Sequence, residues 1–501
     1  MASVPFSEFT SNTLAEGDVT IFGTRDDDYI NRRHFPKQDG EERGLTEVHA
    51  GDGDDRISGG LGSNRLYGGD GDDTIGFGNA GSYTGSRTYY TNVNGGDGDD
   101  YIYGVASGTV RIRGGAGNDT IHAISQSGNG ETYGGDGNDH IHYLFEGQEA
   151  YGDAGDDFLD ASKFLSNDQG AYMDGGSGDD LLIGSDVEDT LIGGTGNDVL
   201  FGAVPGEEHS GFNLFDTEVL DGGAGNDTLY GQENRLSELR GGDGNDYIQS
   251  NGLFNTISGG NGDDRIYVRE DLNTVDGGAG NDRISIQGDE ATVRGGAGRD
   301  TVYGGADDDS IDGGADRDRL FGGRGDDTII SGDGDDYVSA GTGDDFIFTT
   351  TGDDTVYAGS GNDTIGGSIG DEVLFGGSGN DLVIGGSGND FLVANAGRDT
   401  LYGGSGDDRL YGGDGLDQLF GGSGKDVFVF QADRDGTAFA RDFNQSQDVI
   451  AIQGNDIDPS EVLLRGIRDQ LGVNVFHDGD LIGQIGGVSV DDITTDDFMF
   501  L

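Results

Sequence analysis

Between Gly295 and Val429 the chain runs as fifteen consecutive nonapeptides without an insertion or a deletion. The first is GGAGRDTVY and the last GGSGKDVFV, and the sixth place is acidic in all of them, aspartate except at Glu372. Compositional bias can enrich glycine and aspartate, but it cannot hold them in phase over 135 residues. The apolar residues keep the same phase at the eighth place: Val302, Ile311, Leu320, Ile329, Val338, Ile347 and Val356. Units this short bury a core only by stacking on their neighbours. The period therefore dictates a solenoid.

Without that phasing the composition describes a solvated acidic coil. Asp and Glu number 96 against 28 Lys and Arg, the net charge is −68, and hydrophobic residues make up 32%. For the metal-free chain that reading stays open. Four prolines and no Gly-X-Y period exclude collagen, although glycine supplies 102 residues. No basic stripe exists to neutralise phosphates, which argues against nucleic acid as a partner. There is no cysteine, hence no disulfide framework and no zinc–thiolate site, and metal is the obvious remaining staple. Met1 to Gly23 has neither a basic start nor an apolar run, so no cleavable N-terminal signal is expected. No segment approaches the roughly eighteen apolar residues of a membrane span.

Upstream the frame continues with gaps. Clean copies begin at Gly277, Gly259 and Gly241, each 18 residues apart, and further back at Gly222, Gly193, Gly175, Gly152, Gly134, Gly114, Gly95, Gly68 and Ala50. A degenerate copy, GTRDDDYIN, opens the series at Gly23. If one coil is two nonapeptides, residues 18 apart stack about 4.8 Å from each other. One edge then carries Asp55, Asp73, Asp100, Asp119, Asp139, Asp157, Asp180, Asp198, Asp227, Asp246, Asp264, Asp282, Asp300, Asp318, Asp336, Asp354, Glu372, Asp390, Asp408 and Asp426. The other carries Asp309, Asp327, Asp345, Asp363, Asp381, Asp399 and Asp417, and earlier only Asn64, Asp189 or no motif. That earlier part also holds the insertions 77–94, 104–113, 123–133, 161–174 and 202–221. The expected organisation is a lead-in over 1–22, an all-β parallel β-roll over 23–429 and a small β cap over 430–501. The roll is one-edged to 294 and regular on both edges from 295.

Each nonapeptide divides into a turn and a short strand. Glycines at places one, two and four allow positive φ and bare carbonyls, the sixth place adds a carboxylate, and the eighth points inward. Calcium takes six to eight oxygens in a forgiving geometry, whereas magnesium is stricter. Stacked carboxylates about 4.8 Å apart repel by roughly 3–4 kcal/mol at an effective dielectric of 20, so such columns need counter-charge. The gaps between stacked acids would hold about 25 calcium ions, roughly two dozen sites, or about +50 against the chain's −68. Binding is expected to be coupled to folding.

The GGxGxDxUx pattern resembles the RTX, or haemolysin-type calcium-binding, family, from about Gly23 to Val429. The resemblance implies a right-handed parallel β-roll, export through type I secretion machinery directed by the C-terminus, and folding on meeting external calcium. After Val429 short alternating segments follow: Phe428 to Gln431, Phe439 to Phe443, Asp448 to Ile452, Val473 to Phe476 and Leu481 to Ile485. They resemble the C-terminal cap of serralysin-like proteins, and a plain edge-blocking cap suits an open solenoid end equally. The ending Asp496-Asp497-Phe498-Met499-Phe500-Leu501 is similar to the uncleaved secretion signal of that group.

Other motifs carry less. The glycine runs contain no GxxxxGK[ST] loop, no DxDxDG loop with a closing Glu and, among seven histidines, no HExxH. His122 and His142 share the ninth place of successive coils, which suits either two surface histidines or a transition-metal pair. Aromatics recur at the ninth place: Tyr230, Tyr267, Tyr303, Phe321, Tyr357, Phe375 and Tyr411 on one edge, Phe348, Tyr402 and Phe420 on the other. They should point outward, either to stack across strands or to contact a sugar or a neighbouring molecule. Three functions stand. The first is a secreted, non-catalytic calcium-binding protein at or outside the cell surface. The second is a self-associating layer or filament, and the third a polysaccharide-acting enzyme with its site among the insertions.

Overall fold

The computed structural model describes residues 10–12, 19–31, 45–59, 62–78, 89–106, 108–125, 130–143, 148–162, 170–185, 187–203, 217–233, 236–455, 457–467, 471–494 and 497–501. The chain divides into two compact units, Met1–Asn261 and Gly262–Leu501. Each is an all-β parallel solenoid in which a strand pairs with the next strand but one. No helix of the described residues is long and apolar enough to cross a membrane.

In the second unit the period becomes geometry directly. Thr301–Gly305 pairs with Arg319–Arg324, setting Val302 against Leu320 and Tyr303 against Phe321. The intervening Ser310–Ala315 pairs instead with Thr328–Ile330. Residues 18 apart are thus strand neighbours, and successive nonapeptides alternate between two ladders. The eighth-place side chains fill the space between the ladders: Val302, Leu320, Val338, Val356 and Leu374 have no exposed surface. A one-residue slip would turn this row outward, because side chains alternate along a strand. The glycines at places two and four sit at positive φ, as at Gly377 (113°) and Gly379 (134°). Where another residue takes either place at positive φ it is Asp153, Asp307, Asp316 or Asn395, the types that tolerate this region best. The first-place glycine corrects the sequence reading, since it does not adopt positive φ. Its small size serves a close approach described below.

The first unit keeps the same place-on-place register although its copies are unevenly spaced. Ile121 lies between Ile102 and Ile141, 19 and 20 residues away. The described strands keep this register across the uneven spacing, because shifting them would expose the buried row. Much of the insertions, including 79–88, 126–129, 163–169 and 204–216, lies outside the described residues.

After Val429 the parallel stacking persists for a few strands. Val427–Gln431 pairs with Val449–Gln453, which in turn pairs with Phe498–Phe500. The segment expected from Phe439 to Phe443 is a strand only as Gly436–Ala440. An antiparallel set of Leu463–Gly466, Gly472–His477 and Asp480–Gly486 closes the unit. Leu463–Gly466 and Phe498–Phe500 were not anticipated, because LLRG and FMF show no apolar–polar alternation.

Candidate metal centres

The sixth-place acids stand in columns and are almost completely buried. In the first unit the backbone N–H of Asp55 donates to Oδ1 of Asp73, 2.8 Å away, and Asp73 donates in the same way to Asp100. The rail continues through Asp119, Asp139, Asp157, Asp180, Asp198, Asp227 and Asp246 at 2.7–2.8 Å. In the second unit it runs Asp264, Asp282, Asp300, Asp318, Asp336 and Asp354, every step 2.8 Å. A parallel column on the opposite edge joins Asp309, Asp327, Asp345, Asp363, Asp381, Asp399 and Asp417 at 2.8–3.1 Å. Asp390, Asp408 and Asp426 extend the first column at 2.9–3.1 Å, and the N–H of Asp426 reaches Oδ1 of Asp448, one step beyond the period.

One oxygen of each carboxylate is therefore a backbone acceptor. The other is an orphan. Oδ2 of Asp55, Asp73, Asp100, Asp300, Asp318, Asp345 and Asp381, among many others, is buried without a hydrogen-bond partner. It faces the first-place glycine of its own nonapeptide. A Cβ on Gly95 would lie 1.9 Å from Asp100 Oδ2 and 2.5 Å from the Gly114 carbonyl oxygen of the next coil. On the other edge a Cβ on Gly322 would lie 2.3 Å from Asp327 Oδ2 and 2.7 Å from the Ala340 carbonyl oxygen. The missing side chain leaves a cradle lined by a carboxylate oxygen and a carbonyl oxygen from successive coils. These are hard donors, and the set fits calcium.

Without a cation these acids resist ionisation. Burial, opposed by the rail N–H and reinforced by neighbouring carboxylates, pushes Asp73 to about 6, Asp300 to about 7, and Asp100 and Asp318 to about 8. Glu372 is the exception in the column. Its own N–H still donates to Asp390 Oδ1 at 3.0 Å, but both of its carboxyl oxygens are buried without a hydrogen-bond donor. Burial beside Asp390 pushes it up to about 10.

The sequence reading overlooked a second rail at the fifth place. There the N–H donates to the fifth-place Asp or Asn side chain of the preceding coil, opposite in direction to the sixth-place rail, and the series breaks after Arg299 and Arg317, which have no acceptor. Asp72 donates to Asp54 Oδ1 at 3.0 Å, Asp99 to Asp72 at 2.9 Å and Asn118 to Asp99 at 2.7 Å. The series ends in the first unit with Asn226 to Asn197 and Asn245 to Asn226. Asparagine serves as well as aspartate, so this exposed rail needs an acceptor and not a charge. The signal was present as the Asp-or-Asn choice preceding most sixth-place acids.

The RTX calcium-binding nonapeptide repeat model matches residues 49–81, 92–106, 107–123, 174–204, 215–234, 250–284, 289–320, 312–347, 339–371, 366–401 and 393–428, more than half of the chain. The chain belongs to this family. RTX repeats bind calcium, in agreement with the all-oxygen cradles. No curated protein matches the chain. Among solved structures, the extracellular lipase LipA from Serratia marcescens is similar at 19% identity with a TM-score of 0.21. That match covers 41% of this chain and 40% of the lipase.

The decorated edge of this RTX chain shows the rail both with and without a carboxylate. Buried Asn255 accepts the Ser237 N–H at 2.6 Å, keeping the rail with a neutral amide. Asp189 accepts the Ala171 N–H at 2.7 Å and, with its other oxygen, the Ser185 N–H at 2.5 Å. At a regular place, Asp345→Asn should preserve the bond from Asp327 yet lose a carboxylate. Urea unfolding in chelator at pH 5, where protonated acids support the metal-free fold, is expected to show that variant at least as stable as the parent, whereas in calcium at pH 8 it should be the less stable. Asp345→Ala should be weaker in both conditions, by about 1–3 kcal/mol in chelator for the unpaired N–H. Equal behaviour of the two variants would refute the division of roles.

The outward rings stack along the axis. Tyr303–Phe321, Tyr357–Phe375 and Tyr402–Phe420 lie 4.6–4.8 Å apart with planes within 12°. Seventh-place Tyr337 bridges Phe321 and Tyr357, and Phe391 bridges Phe375 and Tyr411. Within the parallel pairs the rings stack face to face, an arrangement suited to cross-strand stabilisation. His122 and His142 are likewise strand neighbours, with ring centres 5.4 Å apart, and Nδ1 of His142 pairs with Asp160 Oδ2 at 3.0 Å.

Proposed function

We propose that this chain is a secreted, non-catalytic calcium-binding RTX β-roll protein that folds on external calcium and acts at or outside the cell surface. The ligands are the sixth-place acids of the columns, from Asp55 to Asp246 and Asp264 to Asp426, together with Asp309 to Asp417 on the second edge. The observation that carries the proposal is the repeated orphan Oδ2 facing a carbonyl oxygen of the next coil across a glycine. A lone buried carboxylate oxygen is costly, and a divalent cation shared between coils removes that cost while linking the coils. The non-catalytic reading rests on the same point, because the buried acids are committed to the backbone on one side and to cations on the other. Secretion is supported by family membership, since millimolar calcium is an extracellular condition.

Saturating the purified protein with calcium and counting ions after rapid desalting should give roughly two dozen per chain. A count of only a few would overturn the column assignment. Fractionation of producing cells is expected to place the folded protein in the medium or on the surface, and a cytoplasmic, calcium-free folded form would contradict the proposal.

A further inference from the structure

The antiparallel closure of the second unit holds a cluster of another chemistry. Leu463 pairs with Phe476, so Glu461, two residues earlier, lies across from the turn that follows Gly472–His477. That turn is Asp478–Gly479, with φ of 51° and 91°, and it joins His477 to its partner Asp480. Positive φ at both central residues is the two-residue hairpin geometry that Asp-Gly favours. The pairing and the turn together bring a ring nitrogen of His477 and one carboxylate oxygen each of Glu461 and Asp478 within 4.8 Å of one another.

His477 gives the cluster its meaning. Its residue is 8% exposed, and Nε2 is buried without a hydrogen-bond partner. A buried polar atom in that condition is destabilising unless a ligand satisfies it. Asp458 steadies the opposite side by accepting the Ser460 N–H at 2.8 Å and its hydroxyl at 2.7 Å, capping the short helical turn Pro459–Glu461. Calcium takes oxygen donors, whereas an imidazole beside carboxylates suits a borderline divalent ion. Zinc ligands about 2.0–2.1 Å from the metal lie roughly 3.3 Å apart. The two exposed carboxylates can close that gap while His477 stays in place.

We propose that Glu461, His477 and Asp478 bind one divalent transition-metal ion of the zinc class, at a site separate from the calcium columns. The ion fastens the helical turn to the tip of the hairpin. Its oxygen and nitrogen donors leave at least one coordination position to water.

The test uses the full-length protein in excess calcium, titrated with Co2+ as a spectroscopic stand-in for zinc. One tightly held ion is expected, with a visible absorption band that Zn2+ abolishes on displacement. Glu461→Gln with Asp478→Asn alters only exposed side chains and should weaken uptake by at least about tenfold, a loss seen even for outer-shell partners of metal sites. His477→Gln should remove the band, and His142→Gln should leave it unchanged. Persistence of the band in the double variant, its loss with His142→Gln, or uptake that excess calcium reverses would each overturn the proposal.

Discussion

Removing divalent ions with a chelator at pH 8 is expected to abolish the β signal in circular dichroism, and millimolar calcium is expected to restore it. The magnitude follows from the columns. Neighbouring ionised carboxylates about 4.8 Å apart repel by roughly 3–4 kcal/mol at an effective dielectric of 20, and most stacked pairs occur in long runs. One site held at a hundred times its dissociation constant contributes about 2.7 kcal/mol. About ten such sites exceed the entire stability of a typical domain, about 5–15 kcal/mol. Acidification should act in the opposite sense on the metal-free chain. Folded-state values of about 6 to 8 stand above the ordinary 3.8, so the folded form binds more protons than the unfolded form between these limits. Metal-free stability therefore rises as pH falls from 8 towards 4 and is lost as it climbs back. With calcium present, the same protons compete with the ion, and calcium should be released as pH drops through 8 to 6. A metal-stripped sample retaining its full spectrum at pH 8 would remove the basis of the calcium-driven account.

Replacing one second-place glycine inside the regular array should be the most damaging single substitution. Gly377 sits at φ 113°, and a Cβ there would lie 1.9 Å from the carbonyl oxygen of Gly359, its neighbour one coil earlier. Gly377→Val combines left-handed strain at a β-branched residue with a clash against backbone that the ladder holds on both sides. A cost above about 4 kcal/mol is expected. Each repeat touches only its neighbours, so the damage should be local. Hydrogen exchange in calcium is expected to show lost protection over Thr355–Ser360, Val373–Ser378 and Phe391–Gly397, with strands several coils away still protected. Native-like protection of these three strands in the variant would show that the close approach is dispensable.

The regular part of the fold was legible because its constraints are local and repeat. An eighth-place apolar residue, positive-φ glycines at places two and four, and an acid at place six recur at a spacing equal to half a coil. Any structure satisfying one copy must satisfy the next, which is why the period alone places Asp300, Asp318 and Asp336 in one column. The fifth-place rail was missed for a related reason. Asp54, Asp72 and Asn118 look like ordinary polar turn residues until the coils are stacked and each side chain meets the N–H of a neighbour. The first-place glycine was recognised as necessary, but its reason is the Oδ2 orphan facing it.

The sequence by itself determined the period, the alternation of two ladders, the buried row and the columns of acids, since all of these follow from repetition along the chain. Only the tertiary structure decided that one oxygen of an aspartate in the columns accepts a backbone N–H while the other is left buried without a partner. Stacking alone sets the distance from one coil's side chain to the next coil's N–H and carbonyl. The same holds for Glu461, His477 and Asp478, which an antiparallel register brings together across a stretch that has no period to read.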